Sequence, residues 1–165
     1  MDVGSHRLDV LCSLFGLPQS VAGFADRVEM AYEVPDSESL VARYASGAHL
    51  CGAFSWCSAE RRDDMVIYGT RGALLASPFD GPTLALENEA GREEFSVPPH
   101  DNVHYPLLDS FAGRLARGQP PEFDGNDGLA ATRIIEACYQ SARTGSVAAL
   151  ARSPTPGRAG LPRRC

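Results

Sequence analysis

Residues 65–76 read MVIYGTRGALLA, two short apolar runs joined by the turn Gly69-Thr70-Arg71-Gly72. A connection this short favours antiparallel neighbours, because parallel strands need a crossover of a dozen or more residues. The same alternation of apolar runs and turn residues extends over residues 20–97 and predicts a mostly antiparallel sheet. The predicted strands are Ser20–Val28, Ser39–Tyr44, His49–Cys57, Met65–Tyr68, Ala73–Ala76, Thr83–Glu87 and Glu93–Val97.

Helical periodicity surrounds these strands on both sides. Glycines mark the predicted helix ends, and Asp124 or Asn126 is the predicted cap of the last helix. The predicted helices are residues 4–15, ended by Gly16, Tyr105–Arg117, ended by Gly118, and Gly128–Arg143, ended by Gly145; a short strand, Ser146–Leu150, follows. The order predicts an α+β domain over residues 1–150, with helices packed on one face of an open sheet. The Pro-, Gly- and Arg-rich residues 151–165 are predicted to be a disordered tail.

Composition narrows the class of protein. The 165 residues carry a net charge of −6, which argues against a nucleic-acid partner. No apolar run approaches the roughly 20 residues of a membrane span, and the first residues lack the features of a signal peptide. Five cysteines without a CxxC pair argue against a disulfide framework. We therefore expect a cytoplasmic domain.

The predicted strand His49–Cys57 is uncharged on both faces. Leu50, Phe54 and Trp56 fall on one side, and the cysteines, Ala53 and Ser55 fall on the other. A strand of this kind predicts that the second face of the sheet is covered as well, by a partner domain or by another copy of the chain. We expect a homo-oligomer.

Four segments in fixed order carry a family resemblance: DVGSHRLD at 2–9, IYGTRGAL at 67–74, GNDG at 125–128 and SARTG at 141–145. Together with the α+β layout, they resemble the C-terminal half of the glucose–fructose oxidoreductase/inositol dehydrogenase (Gfo/Idh/MocA) family over about residues 1–150. The resemblance implies an N-terminal Rossmann domain that binds NAD or NADP, and a C-terminal domain that shapes the substrate site and mediates oligomerisation.

This sequence departs from the family pattern in three features. It contains no G-x-G-x-x-G motif, no Glu-Lys-Pro segment and no lysine at all, although the family uses a lysine from that segment. The resemblance therefore implies a C-terminal domain without its Rossmann domain, and no cofactor bound by this chain alone. The alternatives are a truncated longer protein, a gene start assigned inside a longer frame, or a natural orphan domain.

The resemblance identifies Asp2 and His6 as the D-x-x-x-H pair of the catalytic helix. At positions i and i+4 they share one helical face, where a carboxylate can orient the imidazole that takes the hydroxyl proton while hydride leaves for nicotinamide. The alternative is an aspartate favoured by the helix dipole beside an exposed histidine. No metal is expected.

Three further residues are predicted to contact substrate: Asn102, His104 and Trp56. His100 and His104 have an H-x-x-x-H spacing, but they follow Pro98-Pro99, where a helix is disfavoured, so loop or surface residues are favoured over zinc ligands. For Trp56, core packing is the alternative.

The combined prediction is the substrate-binding and oligomerisation half of an NAD(P)-dependent oxidoreductase acting on the CH–OH group of a sugar or polyol, inactive as an isolated chain. The alternative is a non-catalytic sugar-binding or dimerisation module derived from that domain.

Overall fold

The computed structural model describes residues 2–150, with Asp2 and Val3 described by their backbone. The predicted disordered tail, 151–165, lies outside the described residues. The predicted α+β class is confirmed. The elements are α1 (Asp2–Phe15), β1 (Ser20–Asp26), β2 (Ser37–Arg43), β3 (His49–Ser55), β4 (Met65–Gly69), β5 (Gly72–Ala76), β6 (Thr83–Asn88), β7 (Gly91–Ser96), α2 (Tyr105–Ala116), α3 (Gly125–Thr144) and β8 (Ala148–Ala149).

The strands form two four-stranded sheets, with orders β3-β2-β1-β8 and β4-β5-β6-β7. Every pair between neighbouring strands in both sheets is antiparallel. The chain also divides into two compact units. The first unit holds α1, β1–β3, α3 and β8; the second, residues 59–122, holds β4–β7 and α2.

Local sequence chemistry determines the ends of these elements. Gly16, Gly118 and Gly145 have φ of 73°, 65° and 64° just past the three helices, which confirms them as the predicted stops. Asp124 caps α3: its carboxylate accepts the N–H of Asn126 at 2.7 Å, while the Asp127 side chain accepts the N–H of Asp124 at 2.7 Å. Of the two predicted caps, Asp124 is the correct one.

The core of the first unit lies where α3 packs on β1 and α1 packs on α3. Its fully buried side chains include Leu8, Val21, Ile134 and Cys138. Ser141 of α3 is also buried, and its Oγ accepts the N–H of Gly23 at 3.1 Å, beyond the two residues at which β1 pairs with β8. The helix therefore satisfies an edge group of the strand that would otherwise be buried without a partner.

In the second unit, α2 has the apolar periodicity predicted for it but no buried residue. Leu107, Leu108, Phe111 and Leu115 are 48–66% exposed. Residues 88–91 form a hairpin turn, since Asn88 pairs with Gly91 across two residues. Gly72, the first residue of β5, has φ of 149°, and a Cβ there would collide with the carbonyl oxygen of Glu87.

Candidate functional site

One side of α1 carries a polar stripe. His6, Asp9 and Ser13 are exposed, whereas Leu8 and Leu11 on the other side are buried in the core. The helix is less buried than its apolar content predicts, because Leu14 and Phe15 near its end are 41% and 45% exposed. Burial of one side holds the helix in place, so its histidine is presented outward on a supported element.

Asp2 is the first residue of α1 and precedes His6 by one helical turn. Residues four apart in a helix lie on the same face. The Asp2 side chain lies outside the described residues, so the orientation of the His6 ring by this carboxylate stays a prediction.

Asn102 and His104 lie in a compact turn just before α2, in the second unit. The Asn102 side-chain oxygen accepts the N–H of His104 at 3.0 Å, and the Asn102 backbone carbonyl accepts the N–H of Tyr105 at 3.0 Å. His104 is the N-cap residue of α2, without a side-chain cap hydrogen bond. Both residues are exposed, so the turn presents them to solvent while part of Asn102 maintains the turn itself.

His100 belongs to the same turn. Its Nδ1 accepts the N–H of Asn102 at 3.1 Å, and its ring stacks on Tyr105 with a centroid separation of 4.9 Å. His100 and His104 both precede α2, so they do not share the helical face that an H-x-x-x-H zinc site uses. The expectation that they lie in a loop is confirmed.

Trp56 follows β3 in the first unit and is 47% exposed, so it is only partly packed, in contrast to the core alternative. The backbone N–H of Trp56 donates to the backbone carbonyl of Asp36 at 2.8 Å. The role of Asp36 could not be predicted from the sequence. The only local signal is an aspartate between a proline and a strand, and the backbone groups that it binds cannot be identified from residue types.

A second buried acid, Glu38, lies on the inward side of β2 and is 3% exposed. The hydroxyl of Tyr139 in α3 donates to its carboxylate at 3.2 Å. Burial raises the pKa of Tyr139 to about 12, with the Glu38 charge and hydrogen bond adding to the effect. This pair joins helix to sheet on the core side.

The side of the first sheet opposite to the core is apolar. We call it the open face: Ala22, Phe24, Val41, Cys51 and Ala53. Phe24 is 73% exposed and Val41 is 52% exposed. The predicted alternation of strand His49–Cys57 is confirmed over β3, since Leu50 and Phe54 are half-buried while Cys51 and Ala53 are exposed.

Within residues 2–150, no helix is both long and apolar enough to cross a bilayer.

Residues 1–75 match the family model described as the GFO/IDH/MocA C-terminal domain. The fold is also similar to solved oxidoreductases. One is an oxidoreductase from Agrobacterium radiobacter in complex with NAD+, L-tartaric acid and magnesium (TM-score 0.78, 20% identity), covering 90% of this chain and 48% of its own.

Two other solved structures are similar in fold to this chain. Aldose–aldose oxidoreductase from Caulobacter crescentus, complexed with glycerol, has a TM-score of 0.77 and 22% identity, over 89% of this chain and 46% of its own. Levoglucosan dehydrogenase, in complex with NADH and levoglucosan, has a TM-score of 0.78 and 17% identity, over 92% of this chain and 50% of its own. This chain therefore spans about half the length of the solved structures that share its fold.

Proposed function

We propose that this chain is a C-terminal domain of the GFO/IDH/MocA oxidoreductase family, whose model matches residues 1–75, and that it is the substrate-binding and oligomerisation half of an NAD(P)-dependent oxidoreductase. The substrate class is a sugar, polyol or related molecule with an oxidisable CH–OH group. The observation that carries the proposal is the presentation of His6 on the exposed side of α1, whose other side is held in the core.

Oxidation of an alcohol requires a base for the hydroxyl proton. In this proposal an imidazole nitrogen of His6 accepts that proton, and the carboxylate of Asp2, one turn earlier, orients the ring and stabilises its charged form. Both residues are catalytic in the intact enzyme. Their shared helix keeps the spacing constant, because α1 is anchored by Leu8 and Leu11.

The described residues do not fit a dinucleotide. A Rossmann site needs parallel strands with a glycine-rich turn, whereas every strand pair in the two sheets of residues 2–150 is antiparallel. The sequence also holds no G-x-G-x-x-G and no lysine. In this proposal NAD or NADP, and any lysine that assists proton transfer, come from outside these 165 residues, and we expect no dehydrogenase activity from this chain alone.

Asn102, His104 and Trp56 are the proposed substrate contacts. The turn before α2 offers the Asn102 amide and the His104 imidazole, both of which can hydrogen-bond hydroxyl groups. The half-exposed Trp56 offers an apolar ring to the C–H groups of a sugar.

The open face supports the proposed homo-oligomer. Its centre is apolar across three neighbouring strands, and a two-fold pair of such faces would bury Phe24 and Val41 of both copies. The same surface supports the second candidate function, a dimerisation module without catalysis.

Histidine NMR tests the proposed proton acceptor. The chain has four histidines. Titration of the purified chain with glycerol, levoglucosan and L-tartrate is expected to shift the His6 ring resonances saturably with at least one of them, and this shift is expected to be absent in His6→Asn. His49→Asn, a matched change at another exposed histidine, is expected to retain it.

The absence of any response at His6 would count against the catalytic assignment. The nucleotide sequence upstream of the Met1 codon separates the two candidate functions. A continuous frame that encodes a glycine-rich βαβ unit and Glu-Lys-Pro supports the enzyme half, and a stop codon there supports the module.

A further inference from the structure

The Asp36 carboxylate binds three consecutive backbone N–H groups of the loop at residues 27–35. Val28 donates to one oxygen at 2.8 Å, while Glu29 and Met30 donate to the other at 3.0 and 2.7 Å. Asp36 is fully buried. These hydrogen bonds hold the pKa of Asp36 below its usual range, because they favour the charged form.

The backbone of Asp36 is bonded on both sides as well. Its N–H donates to the carbonyl of Asp26, at the end of β1, at 3.1 Å, and its carbonyl accepts the N–H of Trp56, just past β3, at 2.8 Å. One residue therefore connects the end of β1, the loop and Trp56.

Most of the larger apolar side chains of the loop are exposed. Val28, Tyr32 and Val34 are 64%, 42% and 61% exposed, while Met30 and Pro35 are half-buried. Segments with few buried apolar contacts open locally at low free energy, so the hydrogen bonds of Asp36 determine whether this loop is ordered.

On the other side, Trp56 is held between two anchors. The carbonyl of Asp36 accepts its N–H, and the next residue, Cys57, donates its N–H to the Ser55 Oγ at 3.2 Å. Displacement of Asp36 would remove the first anchor and leave the tryptophan attached to Ser55, the last residue of β3.

We propose that Asp36 is a positioning residue that makes the loop 27–35 and Trp56 a single cooperative unit, so that the two become ordered or released together. Its relevance to substrate binding rests on the proposed role of Trp56. The coupling itself requires no ligand, so it can fail or hold independently of the proposed function.

Native-state hydrogen exchange on the wild-type chain is the first test. If Asp36 couples the two segments, the amides of Val28, Glu29, Met30 and Trp56 should exchange through one opening and show the same protection factor, within about threefold. Protection at Trp56 that differs from that of the three loop amides by tenfold or more, on the order of one lost hydrogen bond, would overturn the proposal.

Substitution of Asp36 gives the second test. Trp56 is the only tryptophan in the chain, so its fluorescence reports this segment alone. In Asp36→Asn an amide NH2 replaces one acceptor oxygen, and we expect all four amides to exchange about tenfold faster or more, with a red-shifted emission that acrylamide quenches more strongly. Asp26→Asn is the control, because Asp26 is exposed and it is its backbone carbonyl that accepts the N–H of Asp36.

The coupling would be overturned if the loop amides of Asp36→Asn exchange faster while the fluorescence emission of Trp56 and the exchange rate of its amide stay unchanged. Core amides such as those of Leu40 and Ile134 should keep their protection, which distinguishes local release from general unfolding. If Asp36→Asn does not fold, the wild-type exchange pattern decides the question.

Discussion

Gly23 of β1 lies so close to Cys138 of α3 that a Cβ on Gly23 would stand 2.5 Å from the Cys138 Sγ. The same Cβ would stand 2.8 Å from the carbonyl oxygen of Ser39 on the neighbouring strand. Backbone of a paired strand cannot move aside easily, so only glycine permits this approach of helix to sheet. The contact keeps α3, and with it α1 and His6, against the first sheet.

Gly23→Ala should therefore lower the free energy of unfolding by about 1–3 kcal/mol, the usual cost of an overpacked core. Gly128→Ala in α3 is the matched control, because a Cβ there meets nothing within 4 Å. It should raise the free energy of unfolding by about 0.5–1 kcal/mol through helix propensity. Urea denaturation measures both, and a Gly23→Ala variant as stable as the wild type would refute the packing argument.

Much of this fold could be predicted from local sequence, because glycine stops, the Asp124 cap and short turns act over a few residues. The division of the strands into two sheets could not be predicted, since alternating patterns identify strands but do not show whether β3 and β4 pair with each other. The apolar face of α2 was likewise predicted, while its exposure depends on what lies beside it. The hydrogen bonds of the Asp36 carboxylate could not be predicted, because their donors are backbone groups. The Tyr139–Glu38 pair could not be predicted either, because the two residues are 101 positions apart.

The buried Tyr44 and the half-buried Tyr139 should respond in opposite directions to substitution by phenylalanine. The Tyr44 hydroxyl is buried and makes no hydrogen bond with the described residues. Burial and the neighbouring Cys12 raise the pKa of Tyr44 to about 12. Tyr44→Phe removes a polar atom without a partner and should raise the free energy of unfolding by about 1 kcal/mol.

Tyr139→Phe instead deprives the buried Glu38 of a donor and should lower the free energy of unfolding by about 1–3 kcal/mol. Thermal and urea unfolding of both variants give the comparison. Destabilisation by Tyr44→Phe would show that the Tyr44 hydroxyl is hydrogen-bonded and would refute the prediction.

Ala53→Arg should disrupt the proposed oligomer. Ala53 lies on the open face, where a buried arginine without an opposite charge would be strongly unfavourable in a two-fold contact. Ala90→Arg, in the exposed turn between β6 and β7, is the control. Sedimentation is expected to show an oligomeric wild type, an oligomeric Ala90→Arg and a monomeric Ala53→Arg; a monomeric wild type would exclude the open face as an interface.

Asp36 predicts a pH dependence of stability with a definite sign. Its pKa is lowered in the folded state, so its contribution is complete above the unfolded-state pKa of about 4 and is lost as the pH falls through the folded-state pKa. The stability difference between wild type and Asp36→Asn should therefore be constant near neutrality and shrink under acid conditions. The carboxyl groups of Asp26, Glu29 and Glu38 are present in both proteins and cancel in this difference. If the difference stays constant down to pH 2 to 3, the ionised Asp36 carboxylate does not stabilise the folded state in the way proposed.

The positions of Asp2 and His6 show both the strength and the limit of sequence reasoning at the site. Their shared face follows from helical spacing alone, and α1 confirms the helix. The geometry with a substrate depends on groups that no spacing within this chain encodes, and those groups include the cofactor.

We propose that this chain is the substrate half of a two-part enzyme and does not complete the reaction alone. The absorbance of reduced nicotinamide tests this directly, when the purified chain is incubated with NAD or NADP and a panel of sugars and polyols. We expect no increase in absorbance, even with ligands that shift the His6 resonances. A reproducible increase that His6→Ala abolishes and His49→Ala leaves intact would contradict it.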